Sequence, residues 1–224
     1  MWGLTGIAYL AAFAVVLATA TPVVFGALAI TPSLIERFGL LIIIVLGETV
    51  TGVVAGLAQA PLDALTLAVA LTALVVGFGA WWTYFDFAGH RPPRSGRAIT
   101  LLWILTHLPL TAGIATMGAA MVSLAESAHD SRTPGPTAWT LCVSAAIVLA
   151  ATALITSTLR VWRDHPDLYR PVAMLCVAVA VVCLALGIAR PAPIVLTVGL
   201  VVLYSIPWSY AVAHVMRDHN AGAR

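Results

Sequence analysis

The chain has 224 residues, 61% of them hydrophobic and only 9% charged, with mean hydropathy +1.01 and a formal net charge of +2. A soluble globular domain carries about 25% charged residues, so this chain cannot clothe a core in a water-facing surface, and lipid must be its main solvent. Its eleven basic residues are all arginine, and most sit at the ends of apolar runs, where they read as topology signals rather than as a patch for nucleic acid.

A spanning helix needs roughly 20 apolar residues. Prolines, glycines and charges cut the chain into about seven such runs joined by short links. The predicted fold class is all-α: one polytopic transmembrane helix bundle, with no room for a further soluble domain. The first span covers 4–28. It lacks the basic leader and small-residue cleavage site of a signal peptide, and Pro22 is expected to kink it. Thr31-Pro32 breaks the pattern before a second span at 34–58. Pro61-Leu62-Asp63 makes a turn with Asp63 placed to cap the third span, 63–87. A link rich in arginine and proline, 89–97, leads into the fourth span at 98–125. The fifth, sixth and seventh follow at 137–159, 171–189 and 192–215, the last with a kink expected at Pro207.

Arginine placement gives the orientation. One side of the predicted bundle collects Arg37, Arg91, Arg94, Arg97, Arg160, Arg163, Arg170, Arg217 and Arg224; the other has Arg132 and Arg190. Nine against two puts the N-terminus outside and the C-terminus in the cytoplasm. Seven helices in this orientation invite a retinal-protein reading, but a retinal Schiff base needs a lysine amine and the chain has none. Cys142, Cys176 and Cys183 fall inside apolar spans without neighbouring metal ligands, and read as small buried hydrophobes. No metal and no cofactor is expected.

An ionisable residue at the bilayer centre is costly and is a functional candidate for that reason. Glu48, in Gly47-Glu48-Thr49, lies in the apolar run 40–57, about 17 Å past Arg37 at the helical rise. His107 lies ten residues beyond Arg97 in the fourth span. Equal depth is therefore expected, which would allow a Glu48–His107 contact able to hold a proton or an ion pair if the second and fourth spans are neighbours, a point the sequence leaves open. Arg37, Leu41, Ile44, Glu48, Thr51 and Ala55 fall on one stripe, and Thr100, His107, Thr111 and Gly118 on another; facing each other, the two would line a polar path. The plain alternative is an interhelical hydrogen bond that only holds the bundle together. Trp82 and Asp86, one turn apart in Trp81-Trp82-Thr83-Tyr84-Phe85-Asp86, offer an aromatic face and a carboxylate to a cation, or are an interfacial anchor with Asp86 paired to Arg91 or Arg37. Glu36 suits a helix N-terminus.

Three segments together carry a family likeness. Ile35-Glu36-Arg37-Phe38-Gly39-Leu40 through Val45-Leu46-Gly47-Glu48-Thr49-Val50 resembles the E-R-F-G-L…L-G-E-S element of the bacterial low temperature requirement A (LtrA) family, with Thr49 where serine is common. Trp81 to Asp86 resembles its W-W-x-Y-F-D element, and His107-Leu108-Pro109-Leu110 its H-x-P-L element. The resemblance covers nearly the whole chain and the later part of a typical member, without the earlier E-L-F-F-D-L element. It implies Glu36, Arg37, Glu48, Trp82, Asp86 and His107 as site candidates. It also implies membrane lipid as the surroundings, and either a homo-oligomer or a partner supplying the earlier portion.

The expected function is a transporter or permease in the bacterial inner (plasma) membrane with a polar midplane site, and not an enzyme. The alternatives are a structural or sensory membrane protein and, with less support, an intramembrane enzyme acting on lipid. That last reading is disfavoured because the sequence has no nucleophile elbow, phosphate loop or paired zinc ligands.

Overall fold

The residues that interrupt the apolar pattern also start and stop the helices. The computed structural model describes residues 30–222; the predicted first span and Pro22 lie outside them. Thr31 caps the first described helix, α1 (Pro32–Gln59), its hydroxyl oxygen accepting from the Leu34 N–H at 3.2 Å, with Pro32 in the first turn. Asp63 caps α2 (Ala64–Phe87), accepting from the Thr66 N–H at 2.9 Å. Gly96, at φ 137°, admits the turn into α3 (Arg97–Glu126). Pro134 precedes α4 (Gly135–Thr158). A single turn, α5 (Val161–Asp164), leads into α6 (Pro166–Ala189), which ends at the left-handed Arg190, and α7 (Pro193–Gly222) completes the chain.

Six of these helices, all but α5, are long and apolar enough to cross a membrane, and the described residues contain no strand. The protein is therefore an all-helical, multi-pass membrane protein. The helices α1, α2, α3 and α4 start and end close to the second to fifth predicted runs, and α6 and α7 overlap the sixth and seventh. Two boundaries differ by more than a turn. α6 starts at Pro166 rather than 171 because Pro171 does not stop it. Pro171 removes the N–H that would bond the Asp167 carbonyl four residues back, and the Tyr210 hydroxyl of α7 donates to that carbonyl at 3.5 Å. α7 continues to Gly222, past the polar residues taken to end it at 215.

α4 is the central helix. In its spanning window 67% of the residues are buried, against 28% for α1, which among the described helices packs on α2 and α3. The core holds Trp103, Leu110, Met117, Leu141, Leu149 and Ile155. Hydroxyls tie the helices across it. Thr72 meets Thr197 at 2.7 Å (α2–α7) and Ser123 meets Thr137 at 2.7 Å (α3–α4). Tyr204 donates to the Ala145 carbonyl at 3.2 Å (α7–α4). Bonds of this kind contribute about 0.6–2 kcal/mol each in a lipid-facing bundle.

The loops gather at two ends. At one, Arg94 reaches the carbonyls of Ser157 and Thr158, Pro93 pairs with Leu159, and Arg91 lies 5.5 Å over the Tyr169 ring. At the other, His129 meets Asp63 at 2.6 Å and Arg190 donates to the Thr133 carbonyl. The first end holds every described arginine except Arg132 and Arg190.

Candidate functional site

α1 and α3 run parallel because small residues let them touch. A Cβ built on Gly52 would fall 2.0 Å from the Gly118 carbonyl oxygen, and one on Gly118 would fall 2.6 Å from the Glu48 carbonyl. Gly56, four residues after Gly52, meets Ala125 and the Val122 carbonyl in the same way. This close approach, with glycines four apart, is a familiar means of association between spanning helices. It also fixes the register: position 52 beside 118, and 56 beside 122–125. Nearer the arginine-rich end, Phe38 packs against Trp103 (4.9 Å between ring centroids) and His107 (4.4 Å).

That register separates the two midspan candidates. Glu48 lies ten residues past Phe38 along α1, so it stands roughly 15 Å deeper than His107. The expected equal depth and the Glu48–His107 contact are corrected. Arg97 is the first residue of α3, whereas Phe38, next to Arg37, packs against the turn from Trp103 to His107, two turns or so farther along. The two stripes do not face each other either. Gly118 looks toward the α1 backbone, and Thr111 turns its hydroxyl onto its own helix at the His107 and Leu108 carbonyls.

His107 is 1% exposed and has a partner for each ring nitrogen. Nδ1 lies 2.7 Å from the Trp103 carbonyl, which can only accept, so Nδ1–H donates there and Nε2 accepts the Tyr84 hydroxyl at 3.1 Å. Both ring nitrogens are thereby satisfied. Phe38, Trp103 and Tyr84 wall it in, and among the described residues no carboxylate lies within ion-pair distance. Sequence reasoning missed this enclosure, although a signal was present. Trp103 precedes His107 by one turn, and Tyr84 sits inside the W-W-x-Y-F-D segment. The Trp103 indole nitrogen is buried with no hydrogen-bond partner among the described residues.

Glu48 is placed in the opposite way. It occupies the middle of α1 on a face that the described residues leave exposed, with Leu41, Ile44 and Thr51 beside it. Among the described residues its carboxylate has no hydrogen-bond or ion-pair partner. Its backbone meets α3 at Gly118.

At the arginine-rich end Trp82 and Asp86 meet, but through the indole edge: Nε1–H donates to Oδ2 at 2.6 Å. The Trp82 ring stands edge-to-face with Trp208, 5.6 Å away, and both line an apolar groove of about 280 Å³ between α2 and α7. Arg91 donates to the main-chain carbonyls of Asp86 and Phe85 rather than to the Asp86 carboxylate. Glu36 and Arg37 are exposed on α1, and among the described residues neither forms an ion pair with Asp86. The expected Arg91–Asp86 and Arg37–Asp86 ion pairs are thus corrected. The former is displaced because Arg91 finds the carbonyls ending α2, and the latter because Arg37 points out from the bundle. Cys142, Cys176 and Cys183 are buried free thiols.

The segments that carry the family likeness are therefore adjacent in space. Phe38-Gly39 of α1, Tyr84-Phe85 of α2 and His107 of α3 form one contiguous cluster, with Gly39 close enough to Phe85 and His90 that a Cβ there would be in van der Waals contact with both. Glu48 stands apart from it. No curated protein and no solved structure matches the chain. The family model described as Bacterial low temperature requirement A protein (LtrA) matches residues 2–206, and the chain belongs to that family.

Proposed function

We propose that this protein moves protons or a small cation across the bacterial plasma membrane, with Glu48 as the group that takes up the charge. The observation that carries the reading is an exposed carboxylate halfway along a spanning helix, without a partner among the described residues. A charged side chain at the bilayer centre costs about 3 kcal/mol on insertion scales. A carboxylate kept at this depth is neutral with a proton bound, or charged with a cation beside it, and alternation between the two is the elementary step of ion movement. In this reading the protein performs no covalent chemistry. Asp86 and Trp82, near the arginine-rich end, serve as the mouth that the positive-inside rule would place in the cytoplasm. His107 packs the cluster and does not carry the ion. The experiment is proton or cation flux in proteoliposomes. Glu48→Gln is expected to lower flux at least tenfold with helix content and melting unchanged; wild-type flux in that variant overturns the proposal.

A second reading, a structural or sensory membrane protein, is favoured by the enclosure of His107. Both its nitrogens are occupied, and threonines such as Thr106, Thr111, Thr152 and Thr156 turn their hydroxyls back onto their own helices, which leaves little polar lining inside the bundle. It predicts that His107→Leu destabilises the protein while no variant alters ion flux.

A further inference from the structure

The end of α4, the single turn α5 and the first turn of α6 pack charges of both signs into eleven residues, Arg160 to Arg170, and the fold sorts them. Asp164 and Asp167, with His165 and His214, line a polar cavity of about 400 Å³ toward α7. Trp162 faces the other way. It closes one end of an open apolar trough of about 600 Å³ between α4 and α6, whose floor includes the buried Ala153 and Ala173 and whose rim includes the exposed Leu154 and Met174. The Ser157 hydroxyl in the wall is spent on the Leu154 carbonyl, so the trough offers no unpaired hydroxyl there.

Its mouth is positive. The Arg170 guanidinium lies 5.9 Å over the Trp162 ring, and Arg160 and Arg163 are exposed on the same turn of chain. A fourth arginine, Arg94, is already engaged by the Ser157 and Thr158 carbonyls, where it offsets the negative end of α4. The other three therefore exceed what the helix end needs. Among the described residues neither Asp164 nor Asp167 forms an ion pair with these arginines, and both line the separate cavity.

An apolar trough along two spanning helices, ending in an interfacial tryptophan under a guanidinium, has the chemistry of an anionic lipid: acyl chain below, phosphate above. We propose that the α4–α6 trough is a binding site for an anionic phospholipid, with its phosphate held by Arg170 and supported by Arg163. The site is independent of the ion-transport reading, because it lies on helices that do not include Glu48.

The test is native mass spectrometry of the full chain released from nanodiscs containing phosphatidylglycerol and phosphatidylcholine with the same acyl chains. The wild type should retain phosphatidylglycerol in preference. Arg170→Gln should weaken that retention roughly fivefold, the expected effect of one arginine near a membrane surface, and leave phosphatidylcholine unchanged. Arg170→Lys keeps the charge and should retain the preference. Ala150→Phe, which fills the trough from an exposed position, should reduce both lipids, and Arg132→Gln at the far end should change neither. Equal retention of the two lipids by the wild type overturns the proposal, as does wild-type preference in Arg170→Gln. Loss in Arg170→Lys as large as in Arg170→Gln also overturns it, because packing on Trp162 rather than charge would then be responsible.

Discussion

His107 and Glu48 sit on neighbouring, parallel helices, about 15 Å apart in depth, and meet opposite surroundings. Around His107 the chain supplies two hydrogen bonds and three aromatic rings, so that a polar group costs nothing unpaired. Around Glu48 the described residues supply apolar neighbours and no partner. The difference separates two uses of polarity within a membrane. A fully satisfied group specifies packing, whereas an unsatisfied one has to find its partner beyond the described helices, in a proton, an ion or another surface. Both residues belong to the family-like segments, so membership in a motif does not by itself tell the two uses apart.

The largest effect should come from breaking the contact that sets their separation. Gly118→Val places a side chain against the Glu48 carbonyl, where a Cβ alone would be 2.6 Å away. Backbone cannot yield as a flexible side chain would, so α1 must move off α3, at a cost of about 3 kcal/mol. Thermal melting in detergent would register this as a large fall in Tm. Displacement of α1 also removes Phe38 from Trp103 and His107, so the near-ultraviolet circular dichroism should change as well. An unchanged Tm would mean that the helices are not held at this crossing.

The enclosure of His107 is the next target. His107→Leu removes both bonds and leaves the Tyr84 hydroxyl, in a residue 2% exposed, without its acceptor; a loss of about 2 kcal/mol is expected. Tyr84→Phe removes the donor only and should cost about 1 kcal/mol. The two variants combined should cost less than the sum of the singles, because they share one bond. Strict additivity in a double-mutant cycle would show that the bond contributes nothing.

The spans were legible in the sequence because apolar length and the punctuation of Thr31-Pro32, Asp63 and Gly96 are local signals. The start of α6 was not, since a proline five residues into a helix reads as a stop in the sequence, whereas the carbonyl it leaves without its usual partner can be met from elsewhere in the fold, here by the Tyr210 hydroxyl about forty residues away in the chain. The candidate residues could be named from burial cost alone. Their arrangement could not, because depth along two helices depends on their relative register, and that register comes from the meeting of Gly52 with Gly118. Gly118 was visible, but it read as part of a polar stripe rather than as a point of backbone contact.

Glu48→Gln sharpens the comparison from the other side. It removes a charge from a position without a described partner, so stability should change by less than about 0.5 kcal/mol or rise slightly, while flux falls. Glu48→Leu should be at least as stable as the wild type. Marked destabilisation by either variant would show that the carboxylate is bonded in the membrane-embedded protein, and would place Glu48 in the same class as His107.

A second exposed carboxylate supplies the reference for the first. Asp63 caps α2 at the end opposite the arginines, and its carboxyl is held below the usual range chiefly by the Thr66 N–H, with the His129 side chain adding to it. A depressed carboxyl contributes stability that is fully present above its unfolded value of about 3.9 and is lost as pH falls through the folded value. Tm should therefore decline on the acid side below about pH 4, and in Asp63→Asn that acid limb should flatten by a small amount, the least of the effects expected here. Glu48→Gln, which removes no bond among the described residues, is the control in which the limb should stay as it is. If Glu48→Gln flattened the acid limb of Tm and Asp63→Asn did not, the roles given to the two carboxylates would have to be exchanged.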